Sequence, residues 1–132
     1  MFYIQIDFNS DEALYMQLRN QIIYGLANDV IHEGDSLPSV RQLADTIGIN
    51  MHTVNKAYTV LRQEGFVKLD RRRGAVISVD ADKVRAVKEL YGDLSVVLAK
   101  ATCKGVSRDE IHDVVDKILN SYEEEDGQTD AV

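Results

Sequence analysis

A chain of 132 residues, of which 45% are hydrophobic, can form one domain with a modest core and is too short for an enzyme with a large cofactor fold. Its single cysteine, Cys103, excludes an intrachain disulfide and fits a reducing cytoplasm. The sequence begins without a basic, apolar leader and has no run of eighteen apolar residues, so we expect neither a signal peptide nor a membrane span.

The net charge of -7 argues at first against nucleic acid as a partner, but the charges are unevenly distributed. From Pro38 to Ser78 there are seven basic residues and three acidic ones, a local balance of +4, which leaves -11 on the rest of the chain. Because salt screens charges beyond about 8 Å at physiological ionic strength, the basic segment can still bind a polyanion.

The first eighty residues alternate between helix and turn signals. Residues Phe2 to Asp7 alternate apolar and polar side chains, which predicts a short strand or an extended arm. Apolar residues at helical spacing follow from Asp11 to about Asn28 and predict a helix, and "HEGDSLPS" predicts a turn. Ser39 lies three residues before Gln42, which predicts a capping box at the start of the helix "SVRQLADTI".

A second short helix follows that one after only a few residues. Gly48 supplies a left-handed stop, and Asn50 can cap the next helix, which we expect to end at Gly65. Two short helices joined around a glycine are typical of a helix-turn-helix. The segments "FVKL" and "AVISV", separated by "DRRRG", then predict a two-stranded hairpin, so residues 1–80 are expected to form a winged helix-turn-helix domain.

The remainder of the chain changes character. Residues 81–122 predict two amphipathic helices, the first from Asp82 to about Lys100 and the second capped by a Ser107 and Glu110 box. Residues 123–132 are acidic and poor in apolar side chains, which predicts a disordered tail. The expected fold class is therefore mainly α with a small β-hairpin: a winged helix-turn-helix domain followed by a two-helix segment.

The second helix of the helix-turn-helix has an unusual outer face. Its apolar side face contains Val54, Ala57, Tyr58 and Leu61, at offsets of three and four. The other six positions carry one full charge, whereas a solvated helix face usually alternates Glu and Lys. This composition favours a surface that contacts a partner. The six positions are Asn50, Met51, His52, Thr53, Asn55 and Lys56.

The segment "GDSLPSVRQLADTIGINMHTVNKAYTVLRQEGFV" resembles the DNA-binding domain of the GntR family of bacterial transcription regulators, and the short C-terminal part resembles the YtrA-type branch. The resemblance covers about Leu14 to Ser78 and is specific, because "LPS.R.LA", "TV.KAY..L..EG" and a glycine-bearing wing occur together at the family's separations. It departs from the family at Met51 and His52, and Arg72 stands where the wing commonly has its first glycine.

The resemblance implies a homodimer whose recognition helices enter successive major grooves of a near-palindromic double-stranded DNA operator. It implies phosphate contacts from the start of the first helix, groove contacts from the second helix, and minor-groove or backbone contacts from the wing. The residues implied are Ser39, Arg41, Asn50, Met51, His52, Thr53, Lys56, Arg71, Arg72, Arg73 and Gly74.

Most of these residues also have a simpler interpretation. Arg41 could form a surface ion pair with Asp45 one turn later, and Met51 could be a half-exposed filler instead of a contact to a thymine methyl group. His52, Thr53 and Lys56 could belong to a solvated face, and the three arginines to a solubilising turn. Because like charges at a tight turn repel each other, a phosphate partner explains the arginines better.

The C-terminal helices carry apolar stripes that two helices alone cannot bury, which favours dimerisation over packing against the winged domain. The stripe residues are Val84, Val87, Leu90, Tyr91, Leu94, Leu98, Ile111, Val114, Val115 and Ile118.

Catalytic and metal-binding functions find no support in the sequence. His32, His52, His112 and Cys103 lack metal-ligand spacing, and no nucleophile has the sequence context of a paired base, so we expect no metal, no cofactor and no enzyme activity. The leading hypothesis is a cytoplasmic transcriptional regulator, most simply a repressor; YtrA-type relatives typically control ABC-transporter genes. The alternative is a winged-helix module that binds protein and not DNA. Any small-molecule effector would bind at the dimer interface or between the two parts.

Overall fold

The structure, a computed structural model, describes the backbone of residues 4–130 and the side chains of residues 4–122. The described residues form five helices and one two-stranded sheet, and the chain divides into two units, 1–80 and 81–132. The fold class predicted from the sequence, mainly α with a small β-hairpin, is confirmed. The elements are α1 (Leu14–Ala27), α2 (Val40–Ile47), α3 (Met51–Gln63), β1 (Val67–Asp70), β2 (Gly74–Ile77), α4 (Lys83–Cys103) and α5 (Arg108–Asp130).

Helix α3 lies at the centre of the first unit and packs against α1, α2 and β1. Its expected apolar face is confirmed, since Val54, Ala57 and Leu61 are completely buried. Tyr58 is also buried, and its hydroxyl donates to the carbonyl oxygen of Pro38 at 2.7 Å. This bond satisfies the one polar group that the ring carries into the core, and it fixes the start of α2 on α3. Burial raises the pKa of the Tyr58 phenol, which therefore stays protonated as the donor.

The turn between α2 and α3 follows the predicted capping pattern. Ser39 and Gln42 form a reciprocal capping box at the start of α2. Gly48 ends that helix with a φ of 72°, in the left-handed region. Asn50 caps α3, because its side-chain oxygen accepts from the backbone N–H of His52 at 2.7 Å. The helix-turn-helix is confirmed, and its second helix ends at Gln63, just before Gly65 with a φ of 86°.

Strands β1 and β2 are antiparallel, with Val67 opposite Ile77 and Asp70 opposite Gly74. The stretch 34–37, which the sequence marks only as a turn, runs along the other edge of β2. Leu37 N–H donates to Ala75 O and Ile77 N–H donates to Asp35 O, both at 2.8 Å. The hairpin is thereby anchored to the segment that leads into α2.

The predicted strand or arm at Phe2 to Asp7 is an extended arm over its described part, residues 4–7; residues 1–3 lie outside the described residues. Two glutamines of α1 bind its backbone. Gln21 accepts from Gln5 N–H at 2.8 Å and donates to the carbonyl oxygen of the same residue. Gln17 accepts from Asp7 N–H at 2.9 Å and donates to Asp7 O at 3.0 Å. Side-chain amides thus take the place of a neighbouring strand.

The second unit consists of α4 and α5. The Asp82 carboxylate caps α4 by accepting from Arg85 N–H at 3.1 Å. The predicted box at Ser107 and Glu110 is confirmed, and the hydrogen bonds from Ser107 lower the pKa of the Glu110 carboxyl. Helix α5 continues to Asp130, so the backbone of 123–130 is helical where the sequence leads us to expect a disordered tail; residues 131 and 132 lie outside the described residues. Glutamate is a good helix former and extends the helix; the side chains of 123–132 lie outside the described residues.

The apolar stripes of this second unit are open in the single chain. None of the residues of α4 is fully buried. The side chains of Leu94, Leu98 and Ile111 are half-buried. The exposed members are Val84, Val87, Leu90, Tyr91, Val114, Val115 and Ile118. No helix within the described residues is long and apolar enough to cross a membrane.

Candidate nucleic-acid interface

The first turn of α3 presents the residues that the sequence assigns to the groove. Asn50, Met51 and His52 are exposed, and Thr53 is half-buried behind them. The side chain of Met51 is 44% exposed, which fits both of its sequence interpretations, a base contact or a half-exposed filler. A helix start carries backbone N–H groups that lack helical partners and a partial positive charge, so this end of α3 suits an anionic partner.

Lys56 lies one turn further along α3, and its position depends on α1. Its Nζ atom lies 4.1 Å from the centroid of the Tyr15 ring. This distance is within the range of a cation–π interaction, in which the negative ring face attracts the ammonium group. Lys56 remains exposed, so the interaction orients the charge without removing it from solvent.

Ser39 and Arg41 lie at the start of α2. The Ser39 hydroxyl is already used, since it accepts from Gln42 N–H at 3.1 Å in the capping box. A phosphate at this position would therefore accept a hydrogen bond from the Ser39 hydroxyl hydrogen or from the neighbouring backbone N–H groups. The side chain of Arg41 is exposed, and the alternative ion pair with Asp45 does not form between these two described residues. The helix start thus presents a free guanidinium group beside its N–H groups.

The wing tip is organised by Asp70. Its Oδ1 atom accepts from the backbone N–H groups of Arg72 at 2.8 Å and Arg73 at 3.0 Å. These two bonds stabilise the charged form and lower the pKa of the Asp70 carboxyl, with a smaller contribution from the Arg73 charge. Gly74 closes the turn with a φ of 74°, in the left-handed region.

The three wing arginines, equivalent in the sequence, differ in the structure. The Arg73 guanidinium donates from Nε to Ser36 Oγ at 3.1 Å and from Nη2 to the carbonyl oxygen of Gly34. Among the described residues, the side chains of Arg71 and Arg72 make no hydrogen bond or ion pair. Two arginines are therefore offered to solvent, and the third is bound to the segment before α2.

A groove of about 350 Å³ brings the start of α2, the outer face of α3 and the hairpin together. Ser39 and Gly74, two predicted site residues far apart in sequence, both line it. Asn55, which the sequence places on the partner-facing surface of α3, also lines it, together with Thr59 and Arg62, which the sequence does not single out. Their spacing of four and three residues places all three on one helix face, which is the signal that could have identified Thr59 and Arg62.

Several arginines of the first unit, of which Arg62 lines this groove, have no charged partner among the described residues. Among the described side chains, Arg41, Arg62, Arg71 and Arg72 form no ion pair. No group of acidic, histidine or cysteine residues in the described part of the chain could hold a metal ion. The described geometry is that of a basic surface around a polar helix start, a combination suited to phosphate and base edges.

The family model for bacterial regulatory proteins of the gntR family matches residues 11–77, which include the helix-turn-helix and the hairpin. The chain belongs to the GntR family. It is accordingly a DNA-binding transcription regulator and not an enzyme, as the sequence predicts. The family match also covers α1, which contains Tyr15 and both arm-binding glutamines.

Individual relatives extend this GntR assignment beyond the winged domain. The HTH-type transcriptional repressor YtrA of Bacillus subtilis is 35% identical over 121 residues, which cover 87% of this chain and 91% of that protein. The solved structure of YtrA from Sulfolobus acidocaldarius, a GntR-family transcription factor, is 35% identical with a TM-score of 0.56, covering 89% and 97% of the two chains. A transcriptional antiterminator from Listeria monocytogenes EGD-e is 27% identical with a TM-score of 0.80, covering 92% of each chain.

Proposed function

We propose that this GntR-family chain is a sequence-specific repressor that binds a near-palindromic operator as a homodimer. The observation that carries the proposal is the exposed, polar first turn of α3, with the free guanidinium groups of Arg41, Arg71 and Arg72 in the same unit. The helix can contact base edges in the major groove while the cations bind phosphates on either side. Occlusion of a promoter by the bound protein would then repress transcription.

The homodimer is proposed from the second unit. Exposed apolar residues recur along α4 and α5, and a contiguous apolar face of this kind marks an interaction surface. A second copy of the same two helices offers a self-complementary partner for it. Two linked recognition helices would also require an operator with two half-sites about one helical turn apart.

The resemblance to the YtrA-type branch supports a target among ABC-transporter genes, beside which such regulators are typically encoded. Repression is supported by the B. subtilis relative, which is itself described as a repressor. A regulator that acts on bacterial promoters works in the cytoplasm, and we propose that location for this chain.

Fluorescence anisotropy with a labelled duplex tests the proposal. The duplex is the DNA upstream of the chain's own gene, where we expect an inverted repeat, and the competitor is random DNA of the same length. We expect the full chain to prefer the repeat, and we expect Thr53→Ala and Arg41→Ala each to weaken binding by about 1–3 kcal/mol. Arg85→Ala is the matched control, because it removes the same charge from α4.

Equal affinity for the repeat and the random duplex would refute sequence-specific binding.

The net charge of -7 favours a second candidate, a protein-interaction module without DNA binding. Simultaneous substitution of Arg71, Arg72 and Arg73 by alanine separates the two. A DNA binder loses affinity and shows a shallower salt dependence, whereas a protein-binding module keeps its partner.

A further inference from the structure

Arg73 differs from its two neighbours in what its side chain contacts. Its guanidinium group donates hydrogen bonds to Ser36 Oγ and to the carbonyl oxygen of Gly34, which lie 37 and 39 residues earlier in the sequence. Its own backbone N–H is held by Asp70 at 3.0 Å. The residue is therefore fixed both at the backbone and at the far end of the side chain.

The partners of Arg73 lie in a segment that already pairs with the hairpin. Ser36 forms an isolated antiparallel bridge with Val76, and Leu37 N–H donates to Ala75 O at 2.8 Å. Those bonds hold β2 at Ala75 and Val76, and Arg73 lies at the tip, immediately before the strand begins. The same segment continues into Ser39, the cap of α2. Arg73 thus adds a contact between the wing tip and the entry to the helix-turn-helix.

We propose that Arg73 is a positioning residue that holds the wing tip against the segment before α2, and that Arg71 and Arg72 supply the charge that the wing presents to DNA. This inference rests on the proposed DNA binding. A guanidinium group in a two-point hydrogen-bonded contact has a fixed geometry that a lysine does not reproduce. Fixing the tip in advance reduces the ordering that DNA binding would otherwise require.

Substitutions at the two kinds of arginine give matched controls, because each removes one charge from the same turn. Operator affinity and its salt dependence are measured by anisotropy for Arg73→Ala, Arg73→Lys, Arg72→Ala and Arg72→Lys. We expect Arg72→Lys to bind like the wild type, since a phosphate contact needs only the charge. We expect Arg73→Lys to lose operator affinity about tenfold, as we expect of Arg73→Ala. Although lysine keeps the charge, it cannot form the two-point contact to Ser36 and Gly34.

Two double-mutant cycles distinguish positioning from direct contact. If Arg73 positions the tip, Ser36→Ala weakens operator binding in the wild type and has no further effect in Arg73→Ala. Likewise, Arg72→Ala loses most of its effect in the Arg73→Ala background, although their side chains do not contact each other. Thermal unfolding of each variant is measured in parallel. We expect unchanged unfolding midpoints, because the side chains of Ser36, Arg72 and Arg73 are all exposed.

A direct phosphate contact from Arg73 predicts the opposite pattern. Arg73→Lys would then keep the affinity, Ser36→Ala would have no effect, and the losses from Arg72→Ala and Arg73→Ala would add; any of these results overturns the inference. A lowered unfolding midpoint that accounts for the affinity loss would also overturn it. Failure of the proposed function is seen separately, because the wild-type chain would then show no preference for the operator.

Discussion

At the scale of single residues, the proposed phosphate contact of Lys56 depends on how its side chain is held in the free protein. The Tyr15 ring holds its ammonium group at 4.1 Å, and the charge stays exposed. A lysine side chain loses much rotamer freedom when it binds a phosphate. Orientation by the ring reduces that loss, so we expect Tyr15 of α1 to strengthen the proposed phosphate contact of Lys56.

We therefore predict that Lys56→Ala weakens binding to specific and random duplexes by a similar factor and lowers the salt slope by about one phosphate contact. The reason is that an ammonium group on a phosphate adds affinity without reading sequence. Titrations of both duplexes at several salt concentrations measure this. Lys68→Ala on β1 is the control for charge, and an unchanged salt slope in Lys56→Ala would contradict the prediction.

Residue-level expectations from the sequence succeeded where the neighbours along the chain decide the outcome. Ser39, Gly48 and Asn50 have their predicted capping roles, because a cap is defined by residues one turn away. The sequence could not separate Arg73 from Arg71 and Arg72, because the difference arises from contacts to residues 34 and 36. The groove members Thr59 and Arg62 were missed for the same reason, since the hairpin that faces them is distant in sequence.

At the scale of elements, the N-terminal arm is bound by a helix face that imitates a strand. Gln17 and Gln21 are four residues apart on α1, a rise of about 6 Å, and the arm residues they bind are two apart, an extended length of about 6.6 Å. The two spacings match, so each side-chain amide can form both bonds to one arm residue. The sequence indicated an arm but not the helix that holds it.

This match predicts that Gln21→Ala releases the start of the arm. The backbone amide of Gln5 loses its acceptor, so we expect its hydrogen exchange to become faster while the amides of α3 keep their protection. Hydrogen exchange followed by NMR measures both in one experiment. Asn20→Ala is the control, because Asn20 donates to Glu12 and not to the arm; equally slow exchange of Gln5 in both variants would contradict the role of Gln21.

The wing turn makes a pH-dependent contribution through Asp70. Its folded pKa lies below the ordinary value of 3.8, because its carboxylate accepts the N–H groups of Arg72 and Arg73. A lowered folded pKa means that the stabilisation is complete above the ordinary value and is lost as the pH falls through the folded value. We predict that the amide NMR signals of Arg72 and Arg73 titrate together with a midpoint below 3.8.

The matched variant for this titration is Asp70→Asn, which keeps an acceptor oxygen and removes the ionisable group. Its amide signals at positions 72 and 73 should stay constant through the acid range. A wild-type midpoint at or above 3.8 would show that the Asp70 cap is not formed in solution.

At the scale of the whole molecule, the acidic net charge and the basic interface belong to different parts of the chain. The seven basic residues between Pro38 and Ser78 include all the free guanidinium groups at the interface, while the excess of acidic residues lies outside that segment. Because the local field decides phosphate binding at physiological salt, a total of -7 does not prevent DNA binding. The fold class was predictable from periodicity and turn chemistry, but the sequence did not indicate how far α5 extends.

The last prediction concerns the stripe on α4 and α5. If a second copy covers it, a carboxylate placed on the stripe must be buried without a partner on dimerisation, which is costly. We predict that Leu90→Asp shifts the chain from dimer to monomer in analytical ultracentrifugation at micromolar concentration, and that it weakens binding to a two-half-site operator far more than to a single half-site. Leu90 is 57% exposed in the single chain, so its substitution leaves the fold of one copy intact.

Val96→Asp is the matched control for this experiment, because it introduces the same carboxylate at an exposed apolar position of α4 on the side opposite the stripe. It should sediment as the wild type does and keep the preference for the two-half-site operator. Two results would each reject the stripe as the dimer interface: a wild-type chain that sediments as a monomer, and a Leu90→Asp variant that remains dimeric. A Leu90→Asp variant that remains dimeric would place self-association elsewhere on the chain. That variant would still prefer the two-half-site operator, because two recognition helices are linked whenever the two copies stay joined.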